Sequence, residues 1–394
     1  MSGSSRRYVA AFLSSSALLS LSLVTVLSAP AGAATVNDEA SFTTAWQTAG
    51  TTQIDLGGDI TLTCTSGEPT RSSTTAITLN GNGHTLTQTC AGDRVLEQQD
   101  SGMVTLSNIT VTGGDADGDG GALDTPGDVV VTGSVITGNA SNSEGGAFEV
   151  NGDLSVTGSL ISDNTAAGSG GAIAGHGVTT LTDSTMTGNS SGNNGGAIRS
   201  YGSAVVINST ISGNTAVSDG GAISNNNDTT LVYATVVDNT GSFGGNLDLG
   251  GSPLASFGSV VALPHGSTDC SGGSGTTSTG YNTDDDGTCG FKGTGDRSDF
   301  TTPLGLGALA ANGGLAPTRL PAASSPLLEQ IPAAACGGGQ GITADERGVA
   351  RPQGLMCDVG AVELAEAAPA STTKRAAPPA AAPAAVTVTH AFTG

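Results

Sequence analysis

Composition and charge narrow the class of protein before any motif is considered. The chain has 394 residues, of which 62 are glycine; 37% are hydrophobic, 3% are aromatic, and the formal net charge is −22. This glycine content is untypical of a helical or α/β enzyme, and the aliphatic content is too high for a disordered chain. Between residues 95 and 290 there are twenty acidic side chains and one basic side chain, Arg199. This balance argues against a nucleic-acid partner, because the phosphate backbone is bound through Lys and Arg.

The N-terminus has the pattern of a secretory signal peptide. Arg6 and Arg7 precede an apolar run over residues 17–27, and small residues lead up to Ala33. We therefore predict a signal peptide over residues 1–33, with cleavage after Ala33. The apolar run is shorter than the ~20 residues of a membrane-spanning helix, so we expect no transmembrane segment in the mature chain. The predicted location is extracellular, either secreted or at the cell surface.

A short amphipathic segment follows the predicted cleavage site. Phe42 and Trp46 have helical spacing, and Asp38 and Glu39 stand at the start of the segment, where acids favour a helix N-terminus. We predict a helix that covers the open end of the fold, within an N-terminal cap over residues 34–52.

The central part of the chain is a repeat of 25 residues. Its most regular sign is a glycine pair, at Gly120-Gly121, Gly145-Gly146, Gly170-Gly171, Gly195-Gly196, Gly220-Gly221 and, after one deletion, Gly244-Gly245. Three columns of large aliphatic or aromatic residues share this period and are exemplified by Phe148, Val156 and Ile161. Because 25 residues are too few for strands plus a crossover helix, each period predicts one three-sided coil whose strands pair with those of the next coil. The predicted fold class is all-β: a right-handed parallel β-helix, a three-faced solenoid with ~25 residues per coil, over residues 53–260.

Two further columns have a structural interpretation. Asparagines recur after the third aliphatic column, at Asn139, Asn164, Asn189, Asn214 and Asn239. We interpret them as a ladder of stacked amides at a turn, with a row of ligand-binding amides as the alternative. The glycine pairs are expected at a corner where Cβ atoms would crowd.

Six cysteines in an exported chain predict disulfides. Fifteen pairings are possible for six cysteines. Proximity in the sequence favours Cys64 with Cys90, Cys270 with Cys289 and Cys336 with Cys357.

The repeats and the C-terminal segment resemble known families of bacterial surface proteins. The Gly-Gly-Ala-Ile repeats with Asn after the third strand resemble the β-helical repeats of polymorphic outer membrane proteins and of adhesin passenger domains. The segment that contains Asp345-Glu-Arg-Gly-Val-Ala-Arg-Pro and Cys357-Asp-Val-Gly-Ala-Val-Glu is similar to the choice-of-anchor Q domain of secreted bacterial surface proteins. This resemblance implies a β-helix that ends in a variable attachment signal, and it offers no known catalytic residues to carry over. We assign the disulfide-containing C-terminal region to residues 261–365. An Ala/Pro-rich tail follows over residues 366–394, without an LPxTG-like motif; we expect it to be an extended, disordered linker.

One acidic segment resembles the first half of a calcium loop. Asp115, Asp117 and Asp119 alternate and are followed by glycine, which is the start of an EF-hand-type loop. The twelfth position of that loop is Pro126, where a bidentate Glu is required. Calcium at Asp115, Asp117 and Asp119 is the only metal site that the sequence suggests, and an exposed acidic corner is the alternative interpretation.

The sequence favours adhesion over catalysis. The lyases that the fold resembles use calcium and a basic residue, and Arg199 is the one basic residue within the regular coils. A glycoside hydrolase needs two nearby carboxyls, and Asp128 and Asp153 share a register one coil apart. Both follow glycine in turn sequences, so we interpret them as turn residues. The prediction is a non-catalytic structural or adhesive β-helix protein that binds extracellular polysaccharide or cell-surface components; the alternative is a polysaccharide-degrading enzyme, a lyase or glycoside hydrolase.

Overall fold

The 25-residue period closes into a parallel β-solenoid of about nine coils, as predicted. The structure is a computed structural model that describes residues 32–298, 300 and 302–365. Successive coils are in register at a spacing of 25 residues, so that Phe148 pairs with Ile173 and Ile173 with Ile198. Each aliphatic column of the sequence is therefore a stack of buried side chains along one face.

Three long parallel sheets form the faces of the solenoid. Sheet A has eleven strands, Ala33–Val36, Gln53–Leu56, Ile77–Asn80, Val104–Ser107, Val129–Thr132, Leu154–Thr157, Thr179–Thr182, Ala204–Ile207, Thr229–Val232, Leu254–Phe257 and Thr277–Gly280. Sheet B has ten strands, Ile60–Leu62, Thr85–Gln88, Thr110–Thr112, Val135–Thr137, Leu160–Ser162, Thr185–Thr187, Thr210–Ser212, Thr235–Val237, Val260–Ala262 and Thr283–Asp284. Sheet C has nine strands, Thr70–Arg71, Leu96–Gln98, Leu123–Thr125, Phe148–Val150, Ile173–Gly175, Ile198–Ser200, Ile223–Asn225, Leu247–Asp248 and Cys270–Ser271. The parallel ladders thus continue past residue 260, into the segment that the sequence assigned to the C-terminal region.

A short fourth sheet lies between sheets B and C. Its five strands are Asp115–Ala116, Ala140–Ser141, Thr165–Ala166, Ser190–Ser191 and Thr215–Ala216. The buried residue of each strand is Ala or Ser, which leaves no large aliphatic column for the sequence to show. The prediction of three faces therefore holds for the long sheets and misses this narrow one.

The asparagine and glycine columns are structural, as the sequence indicated. The side-chain amide of Asn139 donates to the amide oxygen of Asn164 at 3.0 Å, and the same bond repeats along the ladder to Asn239. At the glycine corner, a Cβ on Gly146 would lie 2.1 Å from the carbonyl oxygen of Gly171. These columns are occupied by contacts within the fold, so ligand recognition is to be sought elsewhere.

A helix covers the N-terminal end of the core. Helix α1 spans Glu39–Gln47, with Asp38 as the N-cap, and buries Phe42 and Trp46. Its C-terminal end is held by Arg71, a fully buried side chain whose guanidinium donates to the backbone carbonyls of Trp46, Thr48, Ala49 and Thr51. The predicted capping helix is confirmed.

The C-terminal segment folds back along the outside of sheet B. This arm, residues 304–365, contains the antiparallel pairs Leu306–Ala310 with Thr318–Pro321 and Ile331–Pro332 with Met356–Cys357, and a 3₁₀ turn at Ala333–Ala335. The Glu346 carboxylate accepts hydrogen bonds from the hydroxyls of Thr185 at 2.6 Å and Thr210 at 2.5 Å, both on sheet B. The three favoured disulfides are confirmed: Cys64–Cys90 in the first coils, Cys270–Cys289 at the last coil and Cys336–Cys357 in the arm.

Two predicted segments lie wholly or almost wholly outside the described residues. The tail over residues 366–394 is one, and the signal peptide over residues 1–33 is the other, apart from Gly32 and Ala33. Within residues 32–298, 300 and 302–365, no helix has the length and apolar character needed to cross a membrane.

Candidate functional site

The outward side of sheet C carries the residues that vary most between coils. Each regular strand of this sheet has three residues, of which the first and third point inward and the middle one points outward. The outward residues stack in register as Asp124, Glu149, Ala174, Arg199, Ser224 and Asp248, and we call this column the sheet C face. A loop runs along one edge of the face and a turn along the other, so side chains from both edges can reach over it.

Glu149 is the most unusual residue of the sheet C face. The residue is 8% exposed, and its Oε1 lies 2.8 Å from Nε2 of His176. Its Oε2 is buried without a hydrogen-bond partner. Burial, reinforced by the negative charges of Asp119, Glu144 and Asp124, raises the pKa of Glu149 to about 8. At neutral pH the carboxyl is therefore mainly protonated.

Side chains from the edges of the face surround Glu149. The Tyr201 hydroxyl donates to the Glu144 carboxylate, with both oxygens at 2.8 Å, although the two residues belong to different coils. The Tyr201 ring stacks on the His176 ring with centroids 4.6 Å apart. The Arg199 guanidinium carbon lies 4.7 Å from the centroid of the same Tyr201 ring. Between Glu149 and Arg199 the column holds only Ala174, so an acidic and a basic residue stand on either side of a small residue.

The two ends of the sheet C face differ in charge compensation. Arg94 pairs with Glu68 at 2.8 Å, with Glu97 at 3.4 Å and with Asp124 at 3.8 Å. Arg199 is 8% exposed, and its guanidinium donates to the hydroxyl of Ser224 at 2.7 Å. Glu149 lies between these two arginines and has His176 as its hydrogen-bonded partner.

We name the group Glu144, Glu149, His176, Arg199 and Tyr201 the Glu149 cluster. The sequence singles out Arg199 but does not bring these residues together, because they come from three coils and differ in type from the residues in register with them. The signal that could have found them is the middle position of each sheet C strand, where Glu149 and Arg199 share one column with Asp124 and Asp248. A buried ionisable group whose pKa is strongly shifted, such as Glu149, is a recognised sign of a functional site.

Asp128 and Asp153 serve the turn between sheets C and A. Both are exposed. The Asp128 carboxylate accepts from the Asp153 backbone amide at 2.9 Å, and the Asp153 carboxylate accepts from the Val178 amide at 2.8 Å. This repeating bond is the turn role that the sequence suggested for them.

The predicted calcium ligands lie at the edge beside the Glu149 cluster. Asp115 and Asp117 are exposed, and Asp117 accepts from the Asn142 side chain at 3.2 Å. Asp119 accepts from the backbone amide of Glu144 at 2.9 Å. Among the described residues, the acidic group that brings three carboxylates within 4.8 Å is a different one, Asp269, Asp284 and Asp286. Calcium at Asp115, Asp117 and Asp119 stays a prediction.

The second acidic group lies at the C-terminal end of the asparagine ladder. Asn239 donates to the side chain of Asn246, and Asn246 donates to the Asp269 carboxylate at 2.8 Å. Burial and the neighbouring Asp285 raise the pKa of Asp269. Asp269 is thus the last acceptor of the ladder. No repeat in the sequence indicates this structural role.

Comparison with protein families identifies the solenoid. The model of the pectate lyase-like adhesive domain family matches residues 33–234, just over half of the chain. Neither the curated proteins nor the solved structures contain a significant match. The matched segment includes every residue of the Glu149 cluster. The chain therefore belongs to the family of pectate lyase-like adhesive domains.

Proposed function

We propose that this protein is a non-catalytic adhesin of the extracellular surface, which holds a surface glycan or a partner protein on the sheet C face. The observation that carries the proposal is that the segment matched by the adhesive-domain family contains the whole Glu149 cluster. The cluster stands on a hydrogen-bonded ladder of parallel strands, and a rigid support favours recognition because little order is lost on binding.

Attachment to a surface is the proposed role of the C-terminal arm. The residues that resemble the choice-of-anchor Q domain join the arm to the solenoid: Arg351 pairs with Glu363 at 3.0 Å and lies 4.2 Å from the ring centroid of Tyr233. A clamp of this kind would transmit force from an anchor to the rod. Three disulfides support an oxidising, extracellular location, and the resemblance to repeats of polymorphic outer membrane proteins supports display on a surface.

A polysaccharide-degrading enzyme is the second candidate. The observation that favours it is the raised pKa of Glu149, because a carboxyl that is protonated at neutral pH can act as a general acid. The two carboxyls that the sequence offered as a catalytic pair, Asp128 and Asp153, are instead bound to turn amides. We therefore rank adhesion first.

A bead assay tests the proposal. Beads coated with the exported chain are allowed to settle on a panel of immobilised neutral, acidic and amine-bearing polysaccharides, and retention under flow is measured together with the release of reducing or unsaturated ends. We expect retention on at least one polymer without release of ends. The variant Arg199→Ser with Tyr201→Ala should lower retention about tenfold, because Arg and Tyr side chains dominate recognition surfaces.

The control for this assay is Thr180→Ala, a polar residue on the outside of sheet A. Retention that falls equally with the control would place binding elsewhere and contradict a sheet C site. Release of ends that depends on Glu149 would establish the enzyme instead.

A further inference from the structure

Glu149 has an unused hydrogen-bonding atom in a place where such atoms are costly. The residue is more than nine-tenths buried, and its Oε2 has no partner within the protein. A buried polar atom without a partner destabilises a fold, because it loses its hydrogen bonds to water and gains none in return. The atom nevertheless belongs to a side chain in the outward column of sheet C, and His176 bonds to the other oxygen of the same carboxyl. A ligand that donates a hydrogen bond to Oε2 would supply the partner that this atom lacks.

The charges around Oε2 select the kind of donor. Asp119 and Glu144 approach from the loop before the strand, and Asp124 lies one rung before Glu149; all three raise the pKa of Glu149 through their negative charge. From the following coils, His176 bonds to the other carboxyl oxygen and Arg199 lies two rungs away, about 10 Å along the ladder. The immediate surroundings of Oε2 are thus acidic, which favours a donor that carries a positive charge.

His176 is the partly exposed side chain that bonds to Glu149. His176 has a side chain that is 40% exposed, and its bond to Glu149 is its polar contact within the cluster. Exposed side chains exchange rotamers within nanoseconds. We infer that the ligand displaces this imidazole, which stacks on the Tyr201 ring, and so reaches the Glu149 carboxyl. A carboxyl next to an aromatic ring offers a polar contact and an apolar surface to the same ligand.

We propose that the Glu149 cluster binds the protonated amino group of an amino sugar in a surface polysaccharide. In the complex the ammonium donates to Glu149 and Glu144, and the sugar ring packs beside Tyr201. This inference rests on the proposed adhesive function and names the glycan class that the sheet C face would recognise. On binding, Glu149 releases its proton to the buffer. The neutral carboxyl and the ammonium thereby become a carboxylate–ammonium pair.

A divalent metal fits the same position less well. Among the described residues, the carboxylates that converge within 4.8 Å are Asp269, Asp284 and Asp286, and the Glu149 cluster does not belong to that group. An ammonium needs fewer ligand oxygens than calcium, which takes six to eight. A neutral sugar would donate a hydrogen bond to Oε2 but would not compensate the surrounding negative charge.

Calorimetry with matched oligosaccharides tests the inference. A glucosamine oligomer and an N-acetylglucosamine oligomer of equal length are titrated into the exported chain at pH 6, where both the amine and Glu149 are mainly protonated, and at ~150 mM salt, which screens the overall negative charge of the protein. We expect the glucosamine oligomer to bind at least about tenfold more tightly than its acetylated counterpart. Titration in two buffers of different ionisation enthalpy should show the release of about one proton per binding site.

Glu149→Gln is the decisive variant, and Asp153→Asn is its matched control. The control removes one acidic charge from a neighbouring turn and leaves the cluster unchanged. Glu149→Gln should weaken binding of the glucosamine oligomer about tenfold and abolish proton release, whereas Asp153→Asn should stay within about twofold of the wild type. Far-UV circular dichroism checks that both variants fold, and Glu144→Gln replaces Glu149→Gln if the latter does not.

Three results would overturn the inference: no binding of the glucosamine oligomer, equal affinity for both oligomers, or wild-type affinity in the folded Glu149 variant. In each case the bead assay still decides adhesion independently. Retention that is lost in the Arg199 and Tyr201 variant but kept in Glu149→Gln would retain the adhesive function and reject the amine.

Discussion

Glu149 and Glu346 are two buried carboxyls that share a raised pKa and differ in their hydrogen bonds. Burial raises the pKa of each to about 8. Both oxygens of Glu346 accept from threonine hydroxyls, and these hydrogen bonds join the arm to sheet B. Glu149 has one oxygen without a partner and stands on an outer face. The two carboxyls have similar pKa values, so the oxygen without a partner is the property that distinguishes Glu149.

The raised pKa of Glu149 predicts how stability depends on pH. Its pKa lies near 8 in the folded chain, above the ordinary value of 4.5. Its stabilising contribution is therefore fully present below about pH 4.5 and is lost as the pH rises through 8. Because glutamine stays neutral, the stability of Glu149→Gln relative to the wild type should rise between pH 5 and pH 9, by no more than about 5 kcal/mol. Urea unfolding at the two pH values measures this, and a difference that does not change with pH would contradict the burial of the carboxyl.

The C-terminal arm is an element whose position depends on a few polar contacts with sheet B. Glu346 bonds to Thr185 and Thr210, and the backbone amide of Ala361 donates to the Thr235 hydroxyl at 2.9 Å. Glu346→Ala removes the acceptor of the Thr210 hydroxyl, whereas the Thr185 hydroxyl keeps the Pro317 carbonyl at 2.7 Å, and we expect a loss of about 1–3 kcal/mol in the free energy of docking. Hydrogen exchange should show faster exchange in residues 343–363, with the strands of sheets A and C unchanged.

Asp115→Asn is the control for the arm, since it removes an exposed carboxyl of the narrow fourth sheet, in an earlier coil than Thr185 and Thr210. Unchanged exchange over residues 343–363 in Glu346→Ala would mean that the apolar contacts of the arm suffice to hold it. Loss of protection throughout the solenoid would show instead that the arm and the coils unfold as one unit.

The elements that repeat could be predicted from the sequence, and those that do not repeat could not. Phe148, Val156 and Ile161 belong to columns because every coil must fill the same core, and this repetition identified the strands of the three long sheets. The fourth sheet lacks such a signal, because its inward positions hold Ala or Ser. The Glu149 cluster is assembled from residues of different coils, and its contacts depend on side-chain directions that no period encodes. The docking of Glu346 onto Thr185 joins residues 161 positions apart and is equally invisible in the repeat.

As a whole, the molecule is a capped rod with different roles on its faces. Helix α1 and Arg71 close the N-terminal end of the core, and the Cys270–Cys289 disulfide with Phe291 lies at the other end. The arm covers part of sheet B, while sheet C keeps its polar column outward. The net charge of −22 adds a long-range attraction for cationic ligands and repulsion of anionic polymers. The shape, the charge and the Glu149 cluster agree in favouring capture of an amine-bearing polymer.

Chain-length analysis of a captured polysaccharide separates an adhesin from an enzyme in a single experiment. The protein is incubated with an end-labelled polymer that the beads retain, and the mixture is resolved by size under native and then under denaturing conditions. We predict that the label elutes with the protein under native conditions and returns to its original length after denaturation. Shortened polymer, formed by the wild type and not by Glu149→Gln, would contradict the account and show that the sheet C face is an active site.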